Sequence, residues 1–236
     1  MAAASGMAAE QRSLDTIAAN LANAEVPGFK GSEATFTELA SRLGTTSAGT
    51  RLMLQQGKIL KSAGPLDLAI DGAGFFVVRD AHGAVAYTRA GDFSRQADGT
   101  VRNGRGAVLE NVRIPADATH VAVQRDGRVL IDDALHKGVE VGRVPLARFA
   151  APEYLAAGSD GLFSATAASG AAIGFEPGTG NNAVVLGSSL EQSNVTVIEA
   201  MMQIIAAQRA FEANSKGVQA ADEMQRIANN ILRANG

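Results

Sequence analysis

The chain of 236 residues contains no cysteine and no tryptophan, and aromatic residues make up only 5% of it. Without cysteine there are no disulfides, no thiolate metal ligands and no thiol nucleophile. Lys and Arg number 21 against 24 Asp and Glu, which gives a formal net charge of -3. Because this charge is nearly balanced, the composition gives no indication of nucleic acid or an anionic membrane as a partner.

Long apolar runs are missing as well. No window approaches the ~18 consecutive apolar residues that a membrane-spanning helix needs. The N-terminus lacks a basic stretch followed by an apolar core, so no cleavable secretory signal is predicted. We therefore expect no direct membrane insertion and, for export, a route that needs no cleaved signal peptide.

The first part of the chain, up to about residue 43, shows helical periodicity. Its apolar stripe consists of Met7, Leu14, Ile17 and Leu21. Pro27 and Gly28 follow and stop the helix, and Gly28 can take a positive φ at the bend. A shorter second helix is expected between Phe36 and Leu43.

The last part, from about residue 193 to residue 236, is predicted to be one long helix without an internal proline. Its stripe recurs at steps of three and four and includes Ile204, Phe211, Val218 and Ile231. A helix over residues 194–235 would span roughly 60 Å at about 1.5 Å per residue. Ser193 or Asn194 is the expected N-cap.

The middle of the chain, residues 44–192, is predicted to be rich in β-strands. The apolar run Phe75–Val78 is followed by a turn and a second apolar segment. Val121, Val123, Val129 and Ile131 flank Asp126-Gly127, which is a strong hairpin signal. Many short strands with glycine turns favour a small barrel or sandwich.

The predicted fold class is therefore α+β, with long N- and C-terminal helices packed as an inner coiled-coil-like layer and the all-β part inserted between them. The corresponding domains are residues 1–43, 44–192 and 193–236. Both helical stripes are narrow and rich in alanine, and an isolated short helix is marginal in water. Helices of this kind need neighbours from other subunits, although an ordinary two-helix domain is the alternative.

Residue patterns of catalysis or of metal and cofactor binding are not found in the sequence. His82, His120 and His136 are far apart and have no second ligand at metal spacing. Neither a P-loop nor a Gly-x-Ser-x-Gly motif occurs. Asp132-Asp133 follows a predicted strand and is interpreted as a turn. We therefore predict no catalytic residue, no metal site and no cofactor.

Four blocks of sequence stand out at both ends and in the middle of the chain. They are Ala-Ser-Gly-Met at 4–7 with Leu-Asp-Thr-Ile-Ala-Ala-Asn-Leu-Ala-Asn at 14–23 and Gly-Phe-Lys at 28–30; Pro-Leu-Asp-Leu-Ala-Ile-Asp-Gly-Ala-Gly-Phe-Phe at 65–76; Tyr-Thr-Arg-Ala-Gly-Asp-Phe at 87–93; and Gln-Arg-Ala-Phe-Glu-Ala-Asn-Ser-Lys at 208–216 with Ala-Asp-Glu-Met at 221–224. In this order the blocks resemble the signatures of the flagellar rod and hook protein family.

The resemblance implies a structural protein and not an enzyme. Members of this family are exported unfolded by the flagellar type III apparatus and polymerise into a helical tube in the basal body, where the rod crosses the periplasm. The tube transmits torque and conducts exported subunits. The implied partners are copies of the chain itself, other rod and hook proteins, the export apparatus and the surrounding ring proteins, but not nucleic acid.

The position within the family has alternatives. The closing segment and Ile114-Pro115-Ala116 are most similar to distal rod subunits. The stretch between Leu43 and Leu52, in contrast, is much shorter than in distal rod subunits, and the total length suits a proximal rod subunit better. A proximal rod or hook subunit is therefore one alternative. A secreted β-domain hydrolase is an alternative from another class, and it would require converging carboxylates in the β-rich part.

Overall fold

A computed structural model of the chain describes residues 2–38, 45–158, 160–179 and 183–234. The chain forms two compact units. Unit 1 comprises Met1–Ala22, Ser32–Arg51 and Thr196–Gly236, and unit 2 comprises Asn23–Gly31 and Leu52–Val195. The chain thus passes between the units four times. The domain boundaries expected at residues 43 and 193 stay a prediction, and residue 43 lies outside the described residues.

Unit 1 contains the two α-helices of the described residues. Helix α1 spans Ala2–Ala22 and helix α2 spans Val197–Ala234. The two helices contact each other, and α1 also contacts strand β1, Ser32–Glu38, which pairs with β2, Thr45–Leu52. Asn20 fixes β1 to the end of α1, because its side chain donates to the Ser32 carbonyl at 2.7 Å and accepts from the Ser32 amide at 2.9 Å.

The predicted inner coiled-coil-like layer of long helices is wrong. In the described part of the chain strands dominate, and α1 has only 21 residues against 38 in α2. A coiled coil needs large apolar residues at two of every seven positions over three to four heptads. The stripe of α1 offers four such residues, of which only Ile17 is buried. Helix α1 is therefore held by its contacts with α2 and β1 and not by a regular heptad seam.

Two local expectations around the helices also fail. The shorter second helix is absent where it can be checked, because Phe36 lies in β1; Leu43 lies outside the described residues. The N-cap of α2 is Thr196, whose hydroxyl oxygen accepts from the Glu199 amide at 3.3 Å. Ser193 and Asn194 precede this cap, so the helix begins later than its periodicity suggests.

Unit 2 is built from short strands. They are β3 Ile59–Lys61, β4 Leu68–Asp71, β5 Phe75–Arg79, β6 Val85–Thr88, β7 Phe93–Arg95, β8 Thr100–Asn103, β9 Val108–Arg113, β10 His120–Val123, β11 Arg128–Asp132, β12 Val139–Arg143, β13 Leu146–Arg148, β14 Ala156–Ala157, β15 Phe163–Ser164, β16 Ile173–Phe175, β17 Val184–Gly187 and β18 Ser189–Glu191. A single 3-10 turn, Pro152–Tyr154, interrupts them in the described part of the chain.

Most of these strands form one branched sheet of twelve strands with the main order β10-β11-β12-β9-β5-β6-β15-β14. The two predicted hairpins are confirmed. Strand β5 pairs antiparallel with β6, and β10 pairs antiparallel with β11 around Gly127, whose φ is +80°. Two small sheets, β17-β4 and β18-β3, bring the end of unit 2 back to its beginning.

Two apolar clusters form the core of unit 2. The larger one lies around Phe76, Ile70 and Val129, which are almost completely buried. The smaller one is aromatic, with Phe75 edge-to-face against Phe149 and Phe163 at centroid distances of 5.9 and 5.6 Å. These clusters stabilise the sheet that carries the polar residues described next.

Neither described helix is long and apolar enough to cross a membrane.

Candidate functional site

The residues predicted to mediate assembly lie on α1 and α2 of unit 1. Ile17 is buried, whereas the other three members on α1 and both Ile204 and Phe211 on α2 are half-buried. The side chains of Val218 and Ile231 lie outside the described part. Ala200 and Ala207 are buried on the same face of α2. The predicted stripe is thus partly covered within a single chain, and its role in assembly stays a prediction.

A second apolar stripe on α2 faces solvent. Ile198, Met201, Met202 and Ile205 are 74%, 53%, 60% and 51% exposed. Their spacing of three and four places them on one face, roughly opposite the buried Ala200 and Ala207. An exposed apolar face of this kind is a candidate interaction site. We call these four residues the exposed stripe of α2.

The residues of α2 that the sequence predicts to mediate assembly lie on the opposite face of the helix. Ile198, Met202 and Ile205 are not among the predicted assembly residues, although their spacing is as regular as that of the predicted stripe. Periodicity shows that a helix has an apolar face. Where two faces are apolar, only the packing of the neighbouring helix shows which of them stays free.

Unit 2 contains a buried charged cluster formed by Lys30, Arg89 and Glu191. The Glu191 carboxylate accepts from Lys30 Nζ at 2.6 Å and from Arg89 Nη1 at 3.0 Å. It also accepts from the Gly57 amide at 2.9 Å. The Glu191 side chain is 0% exposed, so both of its oxygens depend on these protein partners. We call the three charged residues the junction cluster.

Two cations face one carboxylate in this cluster, and both cations also donate to main-chain carbonyl groups. Lys30 donates to the Gln55 carbonyl at 2.8 Å, and Arg89 donates to the carbonyls of Ile70 and Gly72 at 3.2 and 2.6 Å. Burial lowers the pKa of Lys30 below its ordinary value of 10.5, against the raising effect of Glu191. Burial lowers the pKa of Arg89 in the same way.

A ring of hydrogen bonds lies beside the junction cluster. The Asn194 side chain accepts from the Gly31 amide at 2.8 Å and donates to the Met53 carbonyl at 2.6 Å. The Met53 amide in turn donates to the Gly31 carbonyl at 2.7 Å. Each of these three residues lies within two positions of a point where the chain passes between the units. The ring therefore ties three of the four crossings together inside unit 2.

The predicted turn at Pro27 and Gly28 belongs to the same region. Gly28 has a φ of +67°, as its predicted bend requires, and its amide donates to the Glu191 carbonyl at 2.7 Å. A Cβ at Gly28 would lie 2.3 Å from the main-chain carbon of Arg89. Gly28 is buried and Pro27 half-buried. The turn is thus packed against the backbone that carries Arg89.

Sequence reasoning missed Glu191 altogether and noticed Lys30 and Arg89 only as parts of motifs. Lys30 and Arg89 stand 161 and 102 positions from Glu191. No local pattern reports such a pairing. The available signal was that Lys30 and Arg89 each stand beside small or apolar residues, since a charge that becomes buried requires an opposite charge elsewhere in the chain.

The carboxylates considered for catalysis serve turns instead. The Asp133 carboxylate accepts from the amides of Leu135 and His136 at 2.7 and 2.6 Å, and these bonds lower its pKa. Asp132 accepts from the Gly138 amide at 2.8 Å. Within the described residues no three His, Asp or Glu side chains are grouped so that they could hold a metal ion.

Sequence comparisons match three segments of the chain to family profiles. Residues 2–30 match the flagella basal body rod protein, residues 69–131 the D1 domain of the flagellar hook protein FlgE/F/G, and residues 187–231 the C-terminal region of the flagellar basal body rod FlgEFG protein. Each segment contributes one member of the junction cluster.

Similarity to individual proteins extends over nearly the full chain. The flagellar basal-body rod protein FlgG of Borreliella burgdorferi is 34% identical over 98% of this chain and 97% of its own length. FlgG of Agrobacterium fabrum is 35% identical over 98% of each. The rod protein FlgF of Salmonella typhimurium is 30% identical over 91% of this chain and 90% of its own. The chain therefore belongs to the family of flagellar basal-body rod proteins, whose members are structural.

Proposed function

We propose that this chain polymerises in the distal rod, in contact with copies of itself and with neighbouring rod and hook proteins. Its similarity to FlgG proteins over almost its whole length favours the distal position over the proximal one. The surrounding rings and the flagellar export apparatus are its further partners.

The observation that supports polymerisation most directly is the exposed stripe of α2. Four large apolar side chains that face solvent on one helix are unfavourable in a monomer. Burying them in an assembly would contribute about 25 cal/mol of stabilisation per Å² of apolar surface removed from water. A contact made by different surfaces of two copies repeats and yields an open helical polymer when the rotation between copies does not close. A rod is such a polymer.

The test uses the source bacterium with its own copy of the gene deleted. The full chain should restore swimming and complete rods in isolated basal bodies viewed by electron microscopy. A chain that ends at residue 196, which lacks α2 but keeps all of unit 2, should restore neither. Full rods with the shortened chain would contradict the proposal. A hydrolase would instead keep its activity in the shortened chain.

A further inference from the structure

We infer that Glu191 is a positioning residue for rod assembly, because its buried carboxylate fixes the two stretches of unit 2 from which the chain passes into β1 and into α2 of unit 1. These stretches are residues 28–31 and 191–195. The inference rests on the proposed function, since it explains how one side chain could affect polymerisation without lying on a polymer contact.

The first step is that Glu191 binds the N-terminal stretch twice. Its carboxylate accepts from Lys30 Nζ at 2.6 Å, and its main-chain carbonyl accepts from the Gly28 amide at 2.7 Å. The two bonds start from residues on either side of Phe29. They therefore fix both the position and the direction of this stretch and not only its distance from Glu191.

The second step is that Glu191 also anchors the C-terminal stretch to the sheet. Arg89 follows β6 directly, is buried, and stacks over the Phe75 ring at 5.7 Å from its centroid. Its Nη1 donates to the other carboxylate oxygen of Glu191 at 3.0 Å. Glu191 is thus bound both by the N-terminal stretch, through Lys30, and by the core of unit 2, through Arg89.

The third step is that both stretches lead directly to crossings. Gly31 follows Lys30 and Asn194 lies three positions after Glu191, and these two residues close the hydrogen-bonded ring through Met53. Because Glu191 binds Lys30, it also fixes the adjacent Gly31, whose amide donates to the Asn194 side chain. The last residues before the passage into α2 are then fixed relative to the last residues before the passage into β1.

The physical chemistry favours a geometric role over a stabilising one. Apolar residues of similar volume stabilise a core as well as a buried ion cluster does, or better. Charged hydrogen bonds, in contrast, have narrow distance and angle requirements, so they select one arrangement. A helical polymer repeats the geometry of each subunit, so an error that one monomer tolerates recurs at every step.

The experiment compares three variants in the gene-deleted source bacterium. Glu191→Gln keeps the shape but leaves two buried cations unbalanced, so it is expected to destabilise unit 2. Lys30→Met removes the bond between the Glu191 carboxylate and the N-terminal stretch but leaves Glu191 paired with Arg89, so no buried charge of the cluster is left without a partner. Val129→Ala is the control, because Val129 is buried in β11, which contains neither a residue of the junction cluster nor a crossing.

Thermal unfolding of each purified protein and the number of complete rods per cell are measured. We expect Lys30→Met to fold with a melting temperature no lower than that of Val129→Ala. We also expect it to form at least about tenfold fewer complete rods, a change equivalent to about 1.4 kcal/mol in an equilibrium. Val129→Ala should form a wild-type number of rods.

Wild-type numbers of rods from Lys30→Met would overturn the inference while leaving the proposed function intact. An equal loss of rods in Val129→Ala would also overturn it, since stability alone would then explain the effect. If the wild-type chain itself formed no rods, the proposed function would fail first and the inference with it.

Discussion

At the scale of single residues, Gly28 shows how closely backbone segments approach at the junction cluster. A Cβ there would lie 2.3 Å from both the main-chain carbon and the oxygen of Arg89. The sequence predicts only that this glycine turns the chain. The structure adds that the turn is pressed against the backbone of the β-rich unit, so that a substitution affects unit 2 itself.

Gly28→Ala should therefore lower the free energy of unfolding of unit 2. Backbone strain at positive φ costs about 1–3 kcal/mol, and the clash with Arg89 adds to it. Gly83→Ala is a matched control, because Gly83 has a φ of +81° and a Cβ added there would meet nothing within 4 Å. Denaturant unfolding should show the larger loss for Gly28→Ala. Equal losses would mean that the close approach of Gly28 to the Arg89 backbone does not contribute to the loss of stability.

The buried Lys30 gives unit 2 a characteristic alkaline response. Its pKa is lowered below 10.5 in the folded state, so between the lowered pKa and 10.5 the unfolded chain binds more protons than the folded one. Stability should consequently rise with pH across that interval, and Lys30 should add no pH dependence below it. Denaturant unfolding of wild type and Lys30→Met as a function of pH checks this. A wild-type curve that runs parallel to that of Lys30→Met would contradict the assignment.

At the scale of elements, the hairpins were predictable from the sequence and the helix packing was not. Asp126-Gly127 fixes the β10–β11 turn through local backbone chemistry alone, so a short window suffices. Phe36 belongs to a strand because β1 pairs with β2, and Asn20 and Ser32 exchange hydrogen bonds across twelve positions at the start of β1; no periodicity reveals either contact. Thr196 caps α2, whereas Asn194, the predicted cap, binds Gly31 and Met53.

The junction cluster could not be predicted from the sequence for the same reason. A lysine, an arginine and a glutamate that are far apart in the sequence are ordinarily solvated surface residues. Only the return of β18 to β3, which places Glu191 opposite Ile59, brings the three together in the interior. Sequence blocks indicated the family, while the three-dimensional structure identified which charged residues pair with each other.

The exposed stripe of α2 allows a prediction at this scale. Met202→Ser should leave the stability of the monomer within about 0.5 kcal/mol, since surface substitutions seldom do more. It should nevertheless reduce the number of complete rods, because apolar area is lost from the contact. Gln203→Ser is the control, as Gln203 is also exposed and directly follows Met202 in α2. Rod counts that do not differ between the two variants would exclude this face from the polymer contact.

At the scale of the whole molecule, the chain is organised around its four passages between two units. Unit 2 has its own extensive core and a buried polar region at the residues that precede and follow these passages. Unit 1 carries the longest described helix and its exposed apolar face. This arrangement suits a subunit whose compact part folds by itself and whose helices complete their burial against other copies.

The most direct test of that claim measures whether the exposed stripe becomes covered in the rod. Because the chain has no cysteine, a single Met202→Cys substitution provides a unique thiol, and His82→Cys at the exposed turn between β5 and β6 provides a control. Maleimide labelling is followed in the purified monomer and in isolated basal bodies. We predict that the Met202→Cys thiol reacts in the monomer and is protected in the rod, while the His82→Cys thiol reacts in the monomer at a comparable rate. Equal reactivity of the Met202→Cys thiol in the monomer and in the rod would contradict the account.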